Sequence, residues 1–166
     1  MWNRRKPLPA GPGQESVWDY PRPPRLEQVA RRITVRFSGE TVADTTRALR
    51  LLETSHPPVY YLPPGDVRRD LLEPAPGTSF CEFKGKASYV TIVANGRRSE
   101  RAGWLYESPA APYGALAGHI AFYAARVDEA RVGDDVVQPQ PGDFYGGWVT
   151  PDIVGPFKGG PGTTGW

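Results

Sequence analysis

Strict alternation is the clearest pattern in the chain. Ile33, Val35 and Phe37 fall on one side of an extended segment while Thr34 and Arg36 fall on the other, the two-residue period of a half-buried strand. Ser38-Gly39-Glu40 turns the chain, and residues 41–44 return as the partner strand. A second hairpin is written more strongly, as residues 87–93, Asn95-Gly96 and residues 97–105. Asn-Gly supplies the two positive backbone angles that a tight turn between twisted strands requires. Residues 119–123 and 127–132 carry a third β region, and residues 45–53 fit helix and strand equally.

Proline punctuates the rest. Val59-Tyr60-Tyr61 lies between Pro57-Pro58 and Pro63-Pro64, which forbid helix and exclude a central ladder position, so an edge strand is expected. Residues 66–72 fit one or two helical turns, with Pro64 near the start and Pro74 beyond the end. The 19 prolines and 19 glycines of the 166-residue chain imply many turns and few long helices. The fold class is mainly β with short helices. The expected organisation is a flexible Pro/Arg-rich arm over residues 1–31, a β domain over 32–132, and a Gly/Pro/aromatic tail over 133–166 that wraps onto the domain.

Charge narrows the partners. Twenty basic and 18 acidic residues give a net +2 with both signs interspersed, too weak a field to argue for nucleic acid. No apolar run is long enough for a bilayer, so no membrane is expected. Arg4, Arg5 and Lys6 head the arm and read as a solvated cluster; prolines and glycines follow where the apolar stretch of an export signal would stand. The lone Cys81 can form no intrachain disulfide, and the usual zinc spacings are absent. A cytoplasmic protein without metal or cofactor is expected.

Four segments, Val59-Tyr60-Tyr61, residues 81–89 (Cys-Glu-Phe-Lys-Gly-Lys-Ala-Ser-Tyr), Trp104-Leu105-Tyr106 and Ala121-Phe122-Tyr123, stand in an order that resembles the bacterial domain of unknown function family 427, over roughly residues 32–130. The resemblance implies compact, tent-like or barrel-like antiparallel sheets, similar to the zinc-supported folds of methionine sulfoxide reductases and the drug-binding domain of cereblon, with the zinc site missing. The family sometimes carries a nucleotidyltransferase label. That chemistry needs a Gly-Ser turn and spaced metal-binding aspartates, whereas Asp134-Asp135 falls in an apparent turn, so the label is set aside.

Candidate chemistry centres on Lys84, between Phe83 and Gly85, where an ammonium beside aromatic surface can act as acid, base or anion clamp; the plain alternative is a surface lysine lying over Phe83. Cys81 is a candidate nucleophile or a small buried hydrophobe, and in a continuous strand it would face away from Lys84. Glu53 and His56 form a second candidate pair, a carboxylate orienting an imidazole for general-base work, against a turn-capping histidine. His119, in an apolar stretch, reads as a core or strand residue. Tyr60, Tyr61, Tyr89, Trp104 and Tyr106 fall on or beside three expected strands; Tyr60, Tyr89, Trp104 and Tyr106, with Arg68 as a charge partner, are candidate walls of a ligand pocket, against ordinary sheet packing.

Three functions stay open. The first is a pocket for a small anionic or planar molecule with Lys84 pointing into it. The second is a metal-independent enzyme using Glu53, His56 and Lys84, which requires two titratable groups within hydrogen-bond reach in one cleft. The third is an interaction or homodimer module, in which Trp18 or Trp166 would fill the cleft.

Overall fold

A computed structural model of the chain describes residues 6–81, 83–142 and 144–166; Arg4 and Arg5 of the basic cluster lie outside them. The alternating segments become the strands Ile33–Phe37 and Glu40–Thr45, joined through Ser38 and Gly39 at φ of 51° and 80°. Ile33 and Val35 are fully buried while Arg36 is exposed. Glu129–Val132 and then Asp135–Val136 extend this sheet from the Ile33 side.

The second hairpin pairs Gly85–Ala94 with Arg97–Leu105 across Asn95 and Gly96, at φ of 51° and 78°. Ile120–Phe122 flanks one side and Leu72–Cys81 the other, giving a second four-stranded antiparallel sheet. The ten-residue Leu72–Cys81 strand runs through Pro74, the proline expected to lie beyond the helical turns of residues 66–72. Its prolines are accommodated because it is an edge strand whose register shifts between Ala75 and Thr78, where Gly77 takes φ +90°. Residues 64–71 form only two short 3-10 turns.

The ambiguous segment resolves as the strand Ala48–Leu52. It lies between Val59–Tyr61, at the edge as the proline brackets imply, and Arg25–Val29. This last strand moves the boundary expected at residue 31: from Glu15 onward the supposed arm is built into the fold. Val17 is fully buried, and Glu15–Ser16 pairs with Ile153–Val154 of the tail. Arg25-Leu26-Glu27-Gln28-Val29 carries only two apolar residues, so its strand character comes from the ladder with Ala48–Leu52 rather than from local pattern. Leu62 bridges Ile120 through two backbone hydrogen bonds of 2.8 and 2.9 Å, tying this sheet to the Asn-Gly hairpin sheet.

Ile33, Val35, Val42, Leu62, Ile92 and Phe122 form the main core, and the tail enters it. Trp148, 1% exposed, stacks on Tyr60 at 5.2 Å and donates its indole N–H to the Phe122 carbonyl. Among the described residues the sheets do not close into a barrel, and no helix is long and apolar enough to cross a membrane.

Candidate functional site

A second cluster of buried residues is dominated by aromatic rings, among them Tyr61, Tyr89, Trp104, Tyr106 and Tyr113. It is incompletely filled and leaves an open cavity of about 270 Å³, near the lower end of ligand-pocket sizes.

Strand periodicity decides which rings reach it. Val59 and Tyr61 line the cavity, and Leu51, the cross-strand partner of Val59, joins them. Tyr60, on the opposite face, turns into the main core against Trp148 and does not line it. The expectation for Tyr60 is therefore corrected to its neighbour, because successive residues of a strand face opposite ways. Tyr89 and Trp104 are direct cross-strand partners and both line the cavity, with Tyr106 two residues on. Arg68 lies elsewhere: it is exposed and bound to Asp70 and Glu40, since the short 3-10 turns carry it away from the cluster.

Cys81 and Lys84 reach the same cavity. They are not successive residues of one strand: Cys81 pairs with Gly85, so Lys84 stands in the connection of a hairpin, where the facing rule of a straight strand lapses. The Lys84 carbonyl accepts the Ala110 N–H at 2.8 Å, which pins the connection. Its ammonium lies 6.0 Å from the Tyr106 ring centroid and has no carboxylate partner among the described residues.

Glu53 and His56 also line the cavity, but Glu53 does not orient the imidazole. Glu53 sits 3.7 Å from Arg22, and the Thr54 carbonyl holds His56 Nδ1 at 3.0 Å. Burial lowers the His56 pKa, with Lys158 and Arg22 acting the same way and Glu53 and the Thr54 carbonyl opposing. A neutral ring that donates Nδ1–H to Thr54 leaves Nε2 as an acceptor. His119 contacts only the Ala117 carbonyl through its ring and is not part of the cavity wall.

The remaining wall comes from the tail, which sequence reasoning left without function. Phe144, Tyr145, Gly146 and Lys158 line the cavity. Buried Gln140 joins their two segments: its side-chain amide donates to the Lys158 carbonyl at 2.8 Å and its oxygen accepts the Gly147 N–H at 3.0 Å. Tyr145 packs edge-on against His56 at 4.9 Å, and the Lys158 ammonium lies 5.6 Å from the Tyr145 ring. Gly146 lies flat against Trp104. Tyr123 was also missed, although it ends a quoted aromatic segment; it packs on Trp104 at 4.6 Å. Phe80 and Phe144, 78% and 68% exposed, flank the cavity mouth.

Trp18 and Trp166 pack on each other at 5.3 Å and not in the cavity. Among the described residues, no group of three or more His, Cys, Asp or Glu side chains is placed to hold a metal. A family model described as a domain of unknown function, DUF427, matches residues 25–133. No curated protein matches the chain.

Proposed function

We propose that this chain, which belongs to the DUF427 family, binds a small planar anionic molecule in the aromatic cavity. One observation carries the reading: a 270 Å³ hollow walled by Tyr61, Trp104, Tyr106 and Tyr123 holds two ammonium groups, Lys84, which has no carboxylate partner among the described residues, and Lys158, which donates to the Trp166 main-chain oxygen at 3.2 Å. Aromatic faces favour a flat ligand, and a cation without a carboxylate partner in a partly desolvated site favours a negative one. A cavity of this size suits a metabolite and not a polymer, and a single free thiol suits a reducing compartment such as the cytoplasm. A thermal-shift screen of small aromatic acids beside their neutral isosteres tests the reading. Acids are expected to raise the midpoint in a concentration-dependent way, by mass action; a panel with no shift, in wild type and without preference for charge, would sink it.

A second reading, a metal-independent enzyme, rests on His56 lining the same cavity as Cys81 and Lys84, although no side-chain hydrogen bond joins two of these groups among the described residues. It predicts that a ligand found in the screen is converted over time, as followed by mass spectrometry, and that His56→Gln stops conversion without abolishing binding. The interaction-module reading is weaker, because the tryptophans that would fill the cleft occupy each other. A homodimer would be the form this reading takes, and light scattering at working concentration tests it.

A further inference from the structure

Of the five phenols of the cavity, Tyr145 lies beside the Lys158 ammonium, and the other four differ in what their protons do. Tyr89 donates to Ser79 Oγ at 2.8 Å, and Tyr123 donates to the Phe144 carbonyl at 3.2 Å. Tyr61 is 1% exposed and receives the Trp104 indole N–H at 3.4 Å. Its ring lies 6.3 Å from that of Tyr106. Burial is the main cause that raises the pKa of both phenols. Trp104 thus donates to Tyr61, whose ring stands beside that of Tyr106. Among the described residues nothing accepts the Tyr106 proton in turn, and the nearest cation to its ring is the Lys84 ammonium at 6.0 Å.

We propose that the Tyr106 hydroxyl and the Lys84 ammonium together form the recognition pole for a carboxylate carried on an aromatic ring, with the Tyr61 ring, held by the Trp104 indole N–H, packed beside Tyr106. The inference rests on the cavity being a ligand site and adds the class of ligand and the hydroxyl that selects it. Two donors, one charged, match the two oxygens of a carboxylate; a phosphate ester presents three acceptor oxygens and about one further charge, which this pole leaves unmet.

Isothermal titration with 2-naphthoate, 2-naphthamide and 2-naphthyl phosphate tests the assignment on the full chain. Naphthoate is expected to bind at least about tenfold more tightly than the amide, and Tyr106→Phe to weaken naphthoate by about tenfold, the loss of one hydrogen bond to a charged group. The amide binding as well as the acid, the phosphate binding more tightly than the acid, or Tyr106→Phe binding naphthoate like wild type would each overturn the pole while leaving the cavity a ligand site. Failure of all three probes to bind would remove the ligand site itself, and the pole with it. Wild-type protein labelled at tyrosine Cζ supplies a readout that needs no variant: naphthoate must shift Tyr106 more than Tyr89, whose proton is already committed to Ser79.

Discussion

Gly146→Ala is the sharpest probe of how the cavity is built. A methyl at residue 146 would meet Trp104 Cη2 at 2.1 Å, Cζ3 at 2.7 Å and Cζ2 at 3.2 Å. All three atoms belong to one rigid ring, so no flexible end can yield. Carbon atoms pack at about 3.5–4.0 Å, and the ring must therefore retreat by roughly 1.5 Å. Its indole N–H is tied to Tyr61, and Tyr123 packs on it at 4.6 Å. Overpacking of this kind costs about 1–3 kcal/mol. Gly146 does not lie in the left-handed region, so alanine meets no backbone penalty there, and its stiffer unfolded chain returns about 0.4–1 kcal/mol. The net expectation is a loss of about 1–2 kcal/mol, or roughly 2–8 °C in Tm for a chain of this length. Thermal melts followed by near-UV circular dichroism read both the loss and the displaced tryptophan. A variant melting at or above wild type with an unaltered aromatic spectrum would refute the close seating of the tail on Trp104.

Four further outcomes follow from the same geometry. His56 titrates near pH 6.5 in the unfolded chain and lower in the folded one, so the unfolded state takes up the proton first; the stability held above pH 6.5 falls as pH drops through the lowered folded value, and Tm measured from pH 7.5 to 5.5 should fall more in wild type than in His56→Gln. Tyr60→Ala should lower stability by about 3–5 kcal/mol in urea titrations, as loss of a large buried ring does, whereas Arg68→Ala should leave both stability and ligand binding within error of wild type. Ser55 is fully buried at φ 72° with a hydroxyl that finds no partner, so Ser55→Gly is expected to raise Tm by relieving a side chain from a conformation glycine adopts freely; a lower Tm would mean that the hydroxyl is satisfied by bound water.

Legibility followed sequence distance. Both tight hairpins were readable because each is specified within a span of about twenty residues or fewer by alternation and a turn dipeptide. Arg25–Val29 and Leu72–Cys81 were not, since the first has little apolar pattern and the second contains Pro74 and Pro76, and each exists through a partner strand brought up by the rest of the fold. At the site, Lys84, Cys81, Glu53, His56, Tyr89, Trp104 and Tyr106 were picked out by residue type, and the structure gathers them around one cavity. The choice between Tyr60 and Tyr61 needed the strand's facing, which adjacent tyrosines do not reveal. Lys158 and Tyr145 were out of reach because the tail has no periodicity; Gln140 and close glycine approaches place it, and neither leaves a pattern in sequence.

The family match ends at residue 133, while the cavity continues into residues 140–158. Two layers of specificity are thereby separated. The matched region supplies Lys84, Tyr106, Tyr61 and Trp104, the groups that on the proposed reading grip the anionic end of a flat ligand. The tail supplies Phe144, Tyr145 and Lys158, which bound the remaining space. That second wall is not a loosely hinged flap, because Trp148 between its two lining segments is locked in the main core and Gln140 ties those segments together. On the proposed reading, a ligand fits a preformed slot beside Phe80 and Phe144 instead of closing the tail over itself, and discrimination among aromatic acids falls to the shape of the tail while affinity for the acid group falls to the Lys84 and Tyr106 pole.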